Sequence, residues 1–517
     1  MSSNTRRSIK LTWMKNDEAV LLMTRNKLLL LGLLSAVSIT GYLIASNQFY
    51  GVGFPLDDSW IHQTYARNLA NAGEWAFFPG QSSGGSTSPL WAALLTPGHL
   101  FGLGPYVWTF TLGWITLWGF SILSTYVFEL LVPIRKGRSI WIGILMIFEW
   151  HLVWAAISGM ETMLFSLFIL ATFALLMNMQ IAPEKKTRKW FSLGILIGSS
   201  VWVRPEGILM VGVAGVSVFL IGHSKDHFDK LRNIIALGVG SVLSFGPYLL
   251  FNQAVAGDWW PNTFYAKQAE YATFRAAPFL QRYLEQLSLP MVGIGALLIP
   301  GFAIYIYEAI RKKYWVSLLP ALWVMGYLGL YASRLPVTYQ HGRYVIPVMP
   351  IYFLLGLAGL ASWIQANSPL AWRRMASQVW LLSLGMITAG FWWMGASSYA
   401  TDVAVIESEM VATALWVAQH TYSDDVIAVH DIGALGYFSG RSLLDLAGLV
   451  SPDVVPFIRD ENRLKSYLNA KGTTYLITFP GGYPELVHGR IVVFETRGVI
   501  SPSIGGENMK IYRWGEP

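Results

Sequence analysis

The chain reads as a polytopic α-helical membrane protein of about eleven spans that carries a C-terminal extracytoplasmic α/β domain. Three features of the 517 residues lead to that class. The composition is 54% hydrophobic and only 13% charged, against about 25% charged in ordinary soluble domains. The apolar residues are gathered into runs of membrane-crossing length, with 23 Trp and 24 Tyr to furnish interfacial belts. From Ser397 onward the pattern changes, and that last segment holds 9 Lys and Arg against 14 Asp and Glu. The absence of cysteine excludes disulfides, thiolate nucleophiles and Cys-based metal sites.

Residues 1–27 form a basic cytoplasmic N-terminus with six Lys and Arg, followed by LLLLGLLSAVSITGYLIA, which is about long enough to span. This helix is read as uncleaved, because Ser46-Asn47-Gln48 is a poor signal-peptidase site and further spans follow. The transmembrane module covers 28–396, with a first outer loop at 47–104. Within that loop, Pro89 to Gly102 is apolar but short and broken by Pro97 and Gly98, which fits a re-entrant or interfacial helix. Spans are expected at about 105–133, 139–157, 160–179, 190–203, 207–222, 233–253, 287–310, 314–332, 344–364 and 377–396. With the N-terminus inside, 21 Lys and Arg fall on the cytoplasmic side of the membrane module and seven on the other. The positive-inside rule therefore puts the N-terminus inside and the C-terminal domain outside, and the expected location is the plasma (inner) membrane. The net charge of +7 reflects this sorting, and no nucleic-acid partner is expected. In residues 397–517, β-type runs at 426–430, 475–478, 491–496 and 509–514 alternate with helical stretches near 402–420 and 460–470, giving the α/β module.

Five outer connections hold polar groups that a tether would not need. The first, around FPLDDSW, carries the adjacent carboxylates Asp57 and Asp58 together with His62 and Arg67. Two acids held at a low-dielectric boundary suit proton abstraction or metal binding, because desolvation and mutual repulsion raise at least one pKa. The others are Ser158-Gly-Met-Glu161-Thr162, Val203-Arg204-Pro-Glu206-Gly207, the Trp259–Lys267 stretch with Asn262 and Tyr265, and Arg334–Arg343 with His341. Charges at membrane depth are expensive, so each is a candidate for function, against the alternative that they pair with one another. Carboxylates and cations on one face match a site that takes a proton from one substrate and stabilises a phosphate on another. Glu149 and His151 lie within an apolar span as expected buried polar contacts. Gly84-Gly85 lacks the Lys and the context of a phosphate loop and reads as a turn.

The ordered motifs DDSWIHQTYARNLANAGEWAFFPG, GGSTSPLW, SGMET, VRPEG, PNTFYAK and HGRYVIPVMP resemble the GT-C superfamily of polyprenyl-phosphate-sugar-dependent glycosyltransferases. Within it the arrangement is similar to the mycobacterial terminal β-(1→2) arabinofuranosyltransferase family. The resemblance implies a GT-C membrane module, a catalytic acid on the first outer loop, and a soluble domain that helps hold the acceptor. It implies Asp57 or Asp58 as general base and Arg204, Lys267, His341 and Arg343 as ligands of the lipid-linked phosphate. His62, Arg67, Glu161, Glu206, Asn262 and Tyr265 are the candidates for substrate contacts. The implied partners are membrane lipids, a polyprenyl-phosphate donor of arabinofuranose or a hexose, and a glycan, lipid or protein acceptor. No particular cofactor is implied, since Arg and Lys alone can handle a monophosphate leaving group; a divalent cation on the two Asp is the minor reading. The rival class is a transporter or flippase of an anionic lipid-linked substrate, which would place ionisable residues in mid-span.

Overall fold

The computed structural model describes residues 23–132, 139–181, 186–221, 227–361 and 363–515. The basic residues Arg6, Arg7, Lys10, Lys15, Arg135, Lys136, Arg138, Lys185 and Lys225 lie outside the described residues. The chain is mainly helical. The first half runs α1 (Arg25–Phe49), α2 (Asp58–Ala72), α3 (Pro89–Leu100), α4 (Gly104–Leu131), α5 (Ile140–Ile147), α6 (Trp150–Ile157), α7 (Thr162–Ile181), α8 (Lys186–Val201), α9 (Leu209–Leu220) and α10 (His227–Ala256). It continues through α11 (Asn262–Glu270), α12 (Phe279–Ser288), α13 (Gly295–Arg311), α14 (Trp315–Arg334), the single turn α15 (Tyr339–Gly342), α16 (Met349–Leu360), α17 (Ala371–Val405), α18 (Ala412–His420), α19 (Ile432–Phe438) and α20 (Glu461–Ala470).

Seven helices are long and apolar enough to cross a membrane, and two bent pairs bring the number to nine among the described residues. The sequence-based figure of about eleven included α8 and the stretch Pro205–Leu220. The 16 residues of α8 rise about 24 Å at 1.5 Å each, short of a hydrocarbon core of about 30 Å. The expected span at 139–157 is bent by 62° between α5 and α6. The break has a local cause: Glu149 leaves the helix, caps α6 by accepting from the Leu152 N–H at 3.1 Å, and bonds His151 Nδ1 at 2.8 Å. The interfacial helix expected at 89–102 is α3.

The boundary expected at 396/397 falls inside one continuous helical stretch, Ala371–His420, which includes a π-helical turn at Ile406–Val411. Backbone hydrogen bonding is indifferent to the compositional change that marked the boundary. Beyond it lies a five-stranded sheet of order β4-β3-β5-β7-β6, built from β3 (Ile427–Val429), β4 (Leu443–Asp445), β5 (Tyr475–Thr478), β6 (Val492–Glu495) and β7 (Lys510–Arg513). A two-stranded hairpin in the first loop, β1 (Ala76–Phe78) with β2 (Gln81–Ser82), precedes it in the chain. β3 runs parallel to β4 and β5, while β7 runs antiparallel to β5 and β6. Strand alternation divides the sheet's two faces. Ile427, Val429, Ile477 and Ile511 join the core shared with the helical bundle, whereas Ala428, Leu476 and Tyr512 join a separate cluster under α20. The sheet is thus packed onto the bundle through one face.

Candidate active site

The structure gives the two adjacent aspartates opposite directions. Asp57 precedes α2 and bonds to α19 of the sheet domain, accepting from Gly433 N–H at 2.7 Å and Ala434 N–H at 2.8 Å. It is therefore a helix cap supplied from 376 residues away. Arg67, at the other end of α2, donates to the Tyr437 carbonyl at 2.5 Å and lies 4.7 Å from the Tyr437 ring. An acid at the N-terminus of α19 and a base at its C-terminus complement its dipole, so these two candidates serve as a clamp between loop and domain. Burial, with the neighbouring Asp431 charge, pushes the Asp57 carboxyl up to about 7, against the two N–H bonds that favour the anion.

The clamp requires close approach. A Cβ on Gly433 would lie 2.0 Å from the Asp57 carbonyl oxygen. Gly433→Ala is accordingly expected to lift α19 off α2 and to speed proteolytic cleavage within 397–515 by more than tenfold. Unchanged cleavage kinetics would show that the clamp does not hold the domain.

Asp58 begins α2 and faces the bundle. Its Oδ2 accepts from Arg343 at 2.8 Å and Lys267 at 3.3 Å. Burial alone would raise the Asp58 carboxyl, but these two cations outweigh it and hold the group well below the usual carboxylate range. Lys267 responds in the opposite sense: burial lowers its ammonium pKa, and the Asp58 charge more than restores it. Both cations line a cavity of about 520 Å³.

That cavity gathers all of the polar connections singled out above. Thr87 comes from the first loop, Glu161 and Thr162 from the second connection, Arg204 and Glu206 from the third, Tyr265 and Lys267 from the fourth, and Arg334 and Arg343 from the fifth. Ile208, Leu209, Trp260, Phe264, Leu330 and Leu335 make the rest of the wall largely apolar. The connections are held in place locally. Ser59 Oγ donates to the Ser158 carbonyl at 2.6 Å and Trp91 Nε1 to the Gly159 carbonyl at 2.8 Å, which fixes the turn bearing Glu161. Asn262 is buried and donates its backbone N–H to the Gly84 carbonyl at 3.2 Å, seating α11 on the glycine turn.

Arg204 is bracketed by carboxylates, with its Nε 3.7 Å from both Glu161 and Glu206. Tyr331 completes this cluster, accepting from Arg204 at 3.2 Å and bonding Glu206. His62 stands behind it, bonded to Ser86 through Nδ1 at 3.2 Å and 3.4 Å from Glu161 through Nε2. Burial raises the Glu161 carboxyl, but His62 and Arg204 prevail and bring it down to about 2. The lining thus holds two groups of charges, Arg204 with Glu161 and Glu206, and Lys267 with Arg343, the latter two paired with Asp58.

His341 does not line the cavity. It points to α17, where Nε2 bonds Asp402 at 2.8 Å between the rings of Trp150 and Trp154. Two further lining residues, Arg334 and Tyr344, were given no role of their own in the sequence reading, although Arg334 opens the fifth connection. Arg334 stands over Phe264 at 5.9 Å and has no carboxylate partner among the described residues. Tyr344 presents its ring to Arg343, Lys267 and Arg204 at 4.9, 5.6 and 5.6 Å. Arg334 sits in the same polar connection as Arg343, and the cost of a charge beside apolar spans singles it out equally. No group of three or more His, Asp or Glu among the described residues is arranged to hold a metal ion.

A helical membrane bundle with a polar first loop, a cationic cavity at one end and an α/β module packed there defines this as a multi-pass protein with the GT-C glycosyltransferase fold. ArnT from Cupriavidus metallidurans bound to undecaprenyl phosphate is similar over 93% of this chain and 97% of its own, at 14% identity and a TM-score of 0.58. The archaeal oligosaccharyltransferase AglB from Archaeoglobus fulgidus, in complex with an inhibitory peptide and a dolichol-phosphate, matches over 86% and 69% at 10% identity and a TM-score of 0.52. Arabinofuranosyltransferase AftD from Mycobacteria matches over 93% of this chain and 41% of its own at 16% identity and a TM-score of 0.51. A family model described as a domain of unknown function, DUF8728, matches residues 391–512. No curated protein matches the chain in sequence.

Proposed function

We propose that the chain is an inverting glycosyltransferase that moves a sugar from a polyprenyl-phosphate donor to an extracytoplasmic glycan, lipid or protein acceptor. The observation that carries this reading is Asp58, joined to Lys267 and Arg343 where those cations enter a cavity with a mostly apolar wall. The donor's phosphate takes the cationic end, and its lipid tail lies along the apolar wall. Arg334 adds a third positive charge at the same cavity.

In the transfer step, Asp58 accepts the proton of an acceptor hydroxyl as that oxygen bonds to the anomeric carbon. The bond from that carbon to the phosphate oxygen breaks with its electron pair, and polyprenyl phosphate departs against Lys267 and Arg343. Of the adjacent acids, Asp58 is assigned the base and Asp57 the clamp. Backbone N–H bonds to both Asp57 oxygens and the pairing of Asp58 Oδ2 with Lys267 and Arg343 favour these side chains over a divalent cation as the counter-charge. The ionisable groups gather at one end of the bundle, which favours surface chemistry over transport. With the N-terminus in the cytoplasm of the plasma (inner) membrane, that end faces outward.

The test is turnover by the purified chain in nanodiscs with a panel of polyprenyl-phosphate sugars and a mixed glycan and lipid acceptor pool. One donor is expected to be consumed, with the product's anomeric configuration opposite to the donor's. A panel left intact would remove the reading, as would retention of configuration.

A further inference from the structure

We infer that His341 is a positioning residue for Arg343, acting through a left-handed turn that it anchors to Asp402. The inference rests on the donor-binding role proposed above for Arg343. Gln340, His341 and Gly342 all have positive φ, at 53°, 57° and 67°. Two consecutive non-glycine residues in that region are unfavourable for L-amino acids and persist where the surroundings over-determine them. Here the surroundings are specific. His341 is gripped by Asp402, which also accepts from Trp154 Nε1 at 3.0 Å, and its ring meets Trp150 and Trp154 edge-on at 5.3 and 5.2 Å.

The next side of the turn is equally constrained. A Cβ on Gly342 would lie 2.9 Å from Leu289, so the backbone passes close to its neighbour. Arg343 then returns to right-handed φ, with its N–H bonded to the Gln340 carbonyl at 3.1 Å. The left-handed turn sends the side chains of 341 and 343 to different places: His341 to α17, Arg343 to Asp58 and the cavity. An extended or helical backbone at 340–342 would not hold both. The long helix that carries Asp402 is thereby linked to the guanidinium proposed to receive the phosphate.

The experiment uses the full chain in nanodiscs and compares wild type with His341→Ala, His341→Asn and Asp402→Asn. It reads undecaprenyl phosphate binding by native mass spectrometry and hydrogen exchange of the 334–345 backbone. Asparagine tolerates the left-handed region and its amide donates to Asp402, so His341→Asn is expected to stay within threefold of wild type. His341→Ala should bind at least tenfold more weakly and exchange faster across 334–345. On an Arg343→Ala background it should weaken binding no further, because the effect passes through Arg343. Additional loss on that background would overturn the inference by making His341 a phosphate ligand itself, and unchanged exchange in His341→Ala would overturn the anchor. If wild type binds no undecaprenyl phosphate, the donor reading fails, and the exchange data alone decide the anchoring role.

Discussion

Asp58→Asn is expected to lower kcat by at least a thousandfold while leaving donor bound. A positioned general base contributes typically about 10²–10⁴ in rate, and the amide has the shape of the carboxylate but cannot accept the acceptor's proton. The substitution also leaves Lys267 and Arg343 without their counter-ion, which costs stability because Arg343 is buried and Asp58 and Lys267 are partly so. The contribution of Asp58 to stability has a defined pH sense. Its folded pKa is depressed, so the contribution is complete above the unfolded value of about 4 and disappears as pH falls through the lower folded value. Loss of thermal stability in Asp58→Asn should therefore be evident at pH 7 and shrink in acid. Asp57→Asn provides the contrast, with kcat within tenfold of wild type and a loosened sheet domain. Equal loss of kcat in both variants would contradict the division of labour.

Arg343→Ala is expected to raise the donor KM by about a hundredfold, and Lys267→Ala by about tenfold. A hydrogen bond to a charged group contributes about 1.5–3 kcal/mol, and Arg343 lies deeper and supplies a planar fork that a lysine cannot copy. Arg343→Lys should accordingly recover little. Arg204→Ala should behave differently. Its guanidinium is already bracketed by Glu161 and Glu206, so its removal should lower the melting temperature and leave donor KM within threefold. Titration of turnover against donor concentration separates the cases, and a larger KM effect from Arg204 than from Arg343 would contradict the proposed assignment of the phosphate to Arg343.

The convergence of the polar connections was legible because charged groups between apolar spans have few reasons to be there. Glu161, Arg204, Glu206, Tyr265, Lys267 and Arg343 do line one cavity. What each does within it depends on contacts that sequence distance hides. Asp57 and Asp58 are neighbours with the same chemistry, and only the docking of α19, 376 positions away, separates them. His341 carries no local sign that its backbone is left-handed and its ring turned to α17. Arg67 and Asn262, two of the substrate-contact candidates, make contacts to α19 and to the glycine turn that sequence distance likewise hides. The polytopic helical class was legible from the apolar runs, whereas helix lengths and bends, which count seven to nine crossing-length spans among the described residues, follow from local breaks such as Glu149.

The continuous helix Ala371–His420 runs from the bundle into the sheet domain without a flexible joint. Its 50 residues, at 1.5 Å each, make a rod of about 75 Å, more than twice a hydrocarbon core of about 30 Å. In the proposed orientation the excess length carries the chain past the bilayer into the sheet domain, which is itself packed onto the bundle. One unbroken helix therefore belongs to both parts of the protein, so a change in its tilt within the membrane would be passed directly to the sheet domain.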